Sequence, residues 1–388
     1  VSVTAPEGFL ASGVACGLKE DGALDLALLS ASPRPVAGAA VFTTNLAAAA
    51  PVKVSQEHLE RSGGAVGAVV LNSGGANAAT GPRGLLDAQQ TCEVVASCLG
   101  IKAQEVLVCS TGLIGVPLAI GRIKKAIPAL CEALGSTPND ATKAATAIMT
   151  TDTHPKEVLV KASGFSVGGM VKGAGMIAPN MATMLAMLTT DAEISPSDLK
   201  TALSSGVSQS FNELIVDNCT STNDTVVLLA SGAAGPVALG ELSDAVGECC
   251  GLLAREIAKD AEGTTKMATI RILGAKSKGD ARRCARGVAA SLLVKTSLYG
   301  ADPYWGRIIS ELGASGAAFS PDTVRIAYGT TDVVRFGTEI PHDRDAVRSY
   351  LEGKEIEITC DLGLGSDEAQ VLTTDLGHGY IDENMRTS

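Results

Sequence analysis

Short β-branched runs alternate along the chain with stretches whose apolar residues recur every three or four positions. This alternation predicts a mixed α and β protein. The runs GAVVLN (67–72), EVLVC (105–109), EVLVKA (157–162), TVVLLA (225–230) and MATIRIL (267–273) predict strands. Helical spacing is found at 84–99, at 120–133, where Ile123, Ala126, Ile127 and Leu130 share a face, and at 243–259, running out toward Gly263. Another helix opens at SPSDLK: Ser195 has N-cap chemistry, Pro196 suits the first turn, and Asp198 suits the positive end of the dipole. Past about 275 the texture changes. The basic segment AKSKGDARRCARG begins a helix of 280–295, followed by YGADPYWGRI, shorter strands and a charged helix near 342–352. The pattern therefore predicts two domains, 1–275 and 276–388, with the basic residues after 275 forming a solvated helix face.

Composition narrows the class. Hydrophobic residues make up 46 % of the 388 and aromatics only 3 %, so the core must be built from Ala, Val, Leu and Ile in close packing. A net charge of −11, from 31 basic and 42 acidic residues, argues against a nucleic-acid or anionic-membrane partner. The opening residues VSVTAPEGFLASGVACGL lack a basic region followed by an apolar run, so no signal peptide is expected. No stretch reaches the roughly 18–20 apolar residues of a membrane span. The ten cysteines are scattered without a CxxC pair, which suggests reduced, buried thiols and a cytoplasmic protein. The four histidines are far apart, and no metal site is expected.

Phosphate-binding loops and a serine nucleophile find no support. LNSGGANAATG (71–81) and DLGLGSDEA (361–369) are glycine-rich, but neither is GxGxxG opening a helix and neither carries GK[ST]. No GxSxG elbow is present. Asp367 and Glu368 read as turn-capping or solvent-facing carboxylates.

The stretch KGAGMIAPNMATML (172–185) is different. Its glycines and Pro179 argue against a helix, it lacks two-residue alternation, and yet it is nearly uncharged. Thr183 lies inside it. A threonine hydroxyl becomes a useful nucleophile when its own α-amine serves as base, which requires Thr183 to be the first residue of a chain. An unperturbed α-amine has a pKa of about 7.7–8.0, so it can accept a proton near neutral pH. Such a terminus arises when the hydroxyl attacks the Ala182 carbonyl and water hydrolyses the resulting ester. Small neighbours suit that step. On residue chemistry alone, a simply packed threonine is the commoner arrangement.

The segment KGAGMIAPNMATMLAMLTTDA resembles the self-cleavage region of the bifunctional ornithine acetyltransferase / N-acetylglutamate synthase family of arginine biosynthesis. GVACGLK, VVLNSGGANAATG, CSTGLIG, AIMTTDTHPK, SFNELIVDNCTSTND, AEGTTK and VKTSLYGADPYWGRI are similar to family segments in family order, over essentially the whole chain. The resemblance implies an α/β/β/α sandwich, shared with self-processing aminopeptidases, and a smaller C-terminal α/β domain. It implies cleavage between Ala182 and Thr183, Thr183 as nucleophile, and an oxyanion hole from Thr111 and Gly112. A hydroxyl and a glycine N–H suit that task, because no Cβ obstructs the approach. Thr150, Lys172, Thr183, Glu262 and Asn384 match substrate-binding positions, with Thr387 or Ser388 as the last. Lys172 would meet a substrate carboxylate and Glu262 an ammonium.

The implied reaction moves acetyl from N2-acetylornithine to glutamate through an ester on Thr183, without metal or cofactor. Some members also accept acetyl-CoA. The implied assembly is a heterotetramer of two α and two β fragments. The chain departs from the family at Ala261 and Asn218, where glycine is usual, and in a C-terminus one residue short. Two other readings stand beside this one: a hydrolase of the same build that passes the acyl group to water, and an uncut, non-enzymatic ligand-binding protein.

Overall fold

The five strands that the pattern predicts all begin within one residue of their expected starts, at Ala68–Ser73, Val106–Thr111, Lys156–Lys161, Thr225–Pro236 and Met267–Ala275. The structure is a computed structural model that describes residues 2–178 and 184–385. The expected helices are present as Gly81–Leu99, Ile120–Glu132, Pro196–Gln209 and Leu239–Lys259. Ser195 caps the third as its chemistry suggests, its hydroxyl accepting from the Asp198 N–H at 3.2 Å. The charged helix near 342–352 is Arg344–Leu351, capped by Asp343.

Two expectations change. The helix of 280–295 is two helices, Lys278–Ala290 and Leu292–Tyr299. Ser291 is the reason: its extended backbone ends the first helix, and its hydroxyl caps the second by accepting from the Val294 N–H. The chain also divides elsewhere. One unit is Val1–Asn212 with Cys219–Ile257, and the other is Glu213–Asn218 with Ala258–Ser388. The change of texture near 275 falls at the end of the strand Met267–Ala275, which pairs on both sides within the second unit. Both the strand and the basic helix after it show themselves in sequence, but nothing in the strand's own pattern says which sheet it joins.

The first unit is built on two sheets. The four-stranded sheet runs in the order Phe9–Val14, Leu26–Ala31, Ala68–Ser73, Val106–Thr111. The six-stranded sheet runs Ala65–Val66, Val36–Phe42, Thr225–Pro236, Leu185–Glu193, Ser166–Lys172, Lys156–Lys161. Leu29, Leu71, Leu107 and Cys109 from the first sheet share a core with Met170, Leu185, Met187, Val227 and Leu229 from the second. The alternate residues Leu28, Val70, Val106 and Val108 pack instead on Ala88, Cys92, Val95, Ile123 and Ile127 of the outer helices. On the far side of the six-stranded sheet, Gly169 lies under Leu253 and Cys249, so close that a Cβ there would be 2.8 Å from Leu253 Cδ1. The helix Pro196–Gln209 packs through Gly206 on Val246 and Cys250 of the same outer layer. The layers are thus helix, sheet, sheet, helix, the α/β/β/α sandwich.

Strands buried on both faces explain the ones that pattern misses. Every residue of Leu26–Ala31 (LALLSA) is buried, so no polar residue alternates to mark it. FLASGV and SVGGMVK are further masked by glycine and alanine. Among the described residues no helix is long and apolar enough to cross a membrane.

The second unit carries a seven-stranded mixed sheet, ordered Leu214–Ile215, Asp367–Thr374, Met267–Ala275, Glu355–Asp361, Arg325–Tyr328, Thr331–Arg335, Thr338–Glu339. Its core joins Ile270, Ile272, Ile326 and Ile358 to Cys284, Val288, Leu298 and Leu312 of its helices. This is the smaller α/β part.

Candidate active site

The strand Val106–Thr111 is buried throughout, and its last residue brings a hydroxyl to the end of the four-stranded sheet. Its parallel neighbour ends beside it, Ser73 opposite Thr111, and passes into Gly74–Gly75. The Gly75 N–H donates to the Thr111 carbonyl at 3.0 Å. Gly112 then turns away at φ +131°, a conformation that favours glycine, and a Cβ on it would sit 2.4 Å from the Gly75 nitrogen. Position 112 therefore admits only glycine. The motifs CSTGLIG and LNSGGANAATG form one structure, also joined by the Ser110 hydroxyl donating to Asn72 Oδ1 at 2.6 Å.

Lys172 ends the strand Ser166–Lys172 and is 3 % exposed. Its Nζ donates to Thr111 Oγ1 at 3.3 Å. A lysine ammonium is donor only, so Thr111 accepts here and keeps its own O–H free to donate. Behind this pair lies Asp152. Its Oδ1 accepts from Lys156 Nζ at 2.6 Å and from the Gly173 N–H at 2.8 Å, and its Oδ2 accepts from the Thr150 N–H at 2.9 Å. Burial opposes the Asp152 charge, but Lys172, Lys156 and the Gly173 N–H outweigh it and hold the carboxyl down at about 2. Asp152 thus fixes the backbone at both Thr150 and Gly173, on either side of the ammonium groups that it neutralises.

Met184 is buried, and it is the first described residue after the expected cut. Its N–H donates to Asp224 Oδ1 at 3.0 Å, and its carbonyl accepts from the Thr225 N–H at 3.2 Å. Burial lifts the Asp224 carboxyl well above the usual range, against weaker pulls from the Met184 N–H, Ser221 and Lys172.

In the second unit the Glu262 carboxylate accepts from Asn384 Nδ2 at 2.9 Å. The helix His378–Asn384 is seated by Gly263: at φ +64°, a Cβ there would lie 2.0 Å from the Tyr380 nitrogen. Tyr380 Oη donates to Asp217 Oδ2 at 3.2 Å.

The residues expected from sequence therefore fall into two groups. Thr111, Gly112, Thr150 and Lys172 come together in the first unit, and Glu262 and Asn384 in the second. Ala182, Thr183, Thr387 and Ser388 lie outside the described residues. Sequence reasoning does not single out Asp152 or Asp224. Each sits inside a segment quoted for the resemblance, but nothing in a pattern separates a buried aspartate from a solvated one.

The first unit is thus a two-sheet sandwich with a buried lysine–threonine pair at its strand ends. A family model, the ArgJ family, matches residues 10–387. The arginine biosynthesis bifunctional protein ArgJ of Mycolicibacterium paratuberculosis is 46 % identical over 393 residues, covering 100 % of this chain and 96 % of its own. Its namesake in Streptomyces avermitilis is 44 % identical over 390 residues, covering 100 % of both. A crystal structure of ornithine acetyltransferase complexed with ornithine, from Mycobacterium tuberculosis, is 45 % identical; the match covers 46 % of this chain and 94 % of that one, at a TM-score of 0.44. The chain belongs to the ArgJ family and is an acyltransferase of arginine biosynthesis.

Proposed function

We propose that the protein transfers acetyl from N2-acetylornithine to glutamate by a ping-pong route through Thr183, after cutting itself between Ala182 and Thr183. The observation that carries this reading is the Lys172–Thr111 contact, 3.3 Å, at a strand end where only Gly112 fits. In the first stage Thr183 Oγ attacks the Ala182 carbonyl. The C–N bond breaks as the Oγ proton passes to the departing nitrogen, and water then cleaves the ester to leave an Ala182 carboxylate, the Thr183 hydroxyl and a free Thr183 amine. In the second stage that amine takes the Oγ proton as Oγ attacks the acetyl carbon, and hands it to the departing nitrogen of ornithine. The Thr111 O–H and the Gly112 N–H stabilise the oxyanion. Glutamate then attacks the acetyl ester and restores the hydroxyl.

The substrate contacts of this reading are Lys172 for a carboxylate, Glu262 and Asn384 for an ammonium, and Thr150 and Ser388. Both amino acids carry a carboxylate and a nitrogen on one carbon, which supports their binding in turn. Acetyl-CoA is a second donor to be assayed. The working assembly is two copies of each fragment, 1–182 and 183–388, in the cytoplasm. Intact mass under denaturing conditions tests the reading. Two fragments are expected, and N2-acetylornithine alone should add one acetyl to fragment 183–388. A single uncut chain with full activity would remove the free amine and the mechanism with it. Release of acetate in place of transfer to glutamate would favour a hydrolase.

A further inference from the structure

The segment TSTND (220–224) carries neither nucleophile nor oxyanion donor, yet two adjacent side chains in it reach both sides of the centre. Asn223 is buried, and its Nδ2 donates to the Ser110 carbonyl at 2.9 Å and to the Ala76 carbonyl at 2.6 Å. Ser110 immediately precedes Thr111, and Ala76 follows the glycine pair on which Gly112 packs. Asp224 is fully buried, and its Oδ1 accepts from the N–H of Met184, the residue after Thr183. The turn itself is fastened: the Thr43 N–H donates to the Asp224 carbonyl at 2.9 Å, and Thr225 enters the six-stranded sheet opposite Leu185.

We infer that Asn223 and Asp224 form a positioning clamp that sets the distance between the oxyanion donors and the nucleophile. The inference rests on the reading of Thr183 given above. The hydrogen bond at the Met184 N–H fixes the residue that directly follows Thr183 in the chain. The two arms belong to consecutive residues, so they are rigidly related through a single backbone unit. One grips the strand end of one sheet, and the other grips the strand start of the second sheet. Misplacement of reacting groups by about 1 Å can cost on the order of 10²-fold in rate, which sets the effect expected when either arm is lost.

The test measures self-cleavage by intact mass and acetyl transfer per titrated active site, in the full chain, with thermal unfolding as the check on folding. Wild type is measured first: if it neither cuts nor transfers acetyl, the reading of Thr183 fails, whatever the clamp does. Given active wild type, Asn223→Ala and Asp224→Ala should each slow cleavage and lower kcat by about 10- to 100-fold, with KM for N2-acetylornithine within about threefold. Asp224→Asn keeps an acceptor oxygen and should recover most of the loss. The double alanine variant should be little worse than the worse single, because both arms serve one distance. Should Asn223→Ala fail to fold, Asn223→Ser takes its place under the same criteria. Unchanged kcat in folded Asn223 variants overturns the clamp. So does a loss confined to KM, or an Asp224→Asn variant as slow as Asp224→Ala.

Discussion

The ammonium of Lys172 and the hydroxyl of Thr111 are hydrogen-bonded across 3.3 Å, although one ends a strand of the six-stranded sheet and the other ends a strand of the four-stranded sheet. On the proposed mechanism the contact would tie substrate holding to oxyanion stabilisation. Thr111→Ala should slow acetyl transfer by about 10²–10³-fold with little change in KM, and Thr111→Ser should recover most of it. Lys172→Met should raise KM and also lower kcat, since it frees the Thr111 hydroxyl to turn. A double-mutant cycle should give a coupling of about 0.5–3 kcal/mol. Strict additivity would mean that the contact does nothing in the working enzyme.

Asp152 neutralises a lysine, Lys156, whose side chain has no exposure at all. Asp152→Asn removes this charge-assisted hydrogen bond and should cost about 1.5–3 kcal/mol in urea unfolding at pH 7. The Asp152 carboxyl lies below its unfolded value, at about 2. Its contribution is therefore present above about pH 4 and fades as pH falls toward 2. The gap between wild type and variant should narrow over that window; a gap independent of pH would show that the charge is not what holds the loop.

Gly263 seats the C-terminal helix, and a methyl group there meets the Tyr380 backbone. Gly263→Ala should break the Glu262–Asn384 hydrogen bond and raise KM for N2-acetylornithine at least tenfold. Self-cleavage, which needs neither residue, should proceed as in wild type. Uncut Gly263→Ala would place the helix in the processing step instead.

Lys295 is buried in the second unit, where its Nζ donates to Thr373 Oγ1 at 3.0 Å and to Thr374 Oγ1 at 3.2 Å. Burial drives its pKa down to about 7, against the opposing pull of Asp375 and Asp217. The unfolded chain then binds more protons between about 7 and about 10.4, so the stability that Lys295 contributes rises with pH across that interval. Relative to Lys295→Met, wild type should gain stability between pH 7 and pH 10. Parallel curves would show the lysine charged throughout.

Legibility in the sequence followed the physics of each segment. GAVVLN and TVVLLA show themselves by β-branching, whereas LALLSA is covered on both faces and SVGGMVK packs through glycines against helix side chains. Within 172–185, residues 173–178 form no helix or strand, whereas Lys172 and Leu185 belong to strands that pair there and that the pattern does not mark. The expectations for Thr111, Gly112, Lys172, Glu262 and Asn384 rest on resemblance, not on pattern. Asp152, Asn223 and Asp224 act on partners 21, 113 and 40 residues away, separations that no local pattern carries.

The order of the six-stranded sheet bears on how such a protein can be made. Its two central strands, Thr225–Pro236 and Leu185–Glu193, follow the Ala182–Thr183 bond in the chain, and the two strands on either side precede it. A cut chain is therefore an interleaved object, held by ladders on both flanks of its middle pair. Neither piece has a finished sheet alone: one would present a gap two strands wide, the other a bare ribbon with open edges prone to aggregation. On the proposed cleavage both pieces would be heirs of one folding event, and genes encoding them separately should yield inclusion bodies where the intact gene yields enzyme.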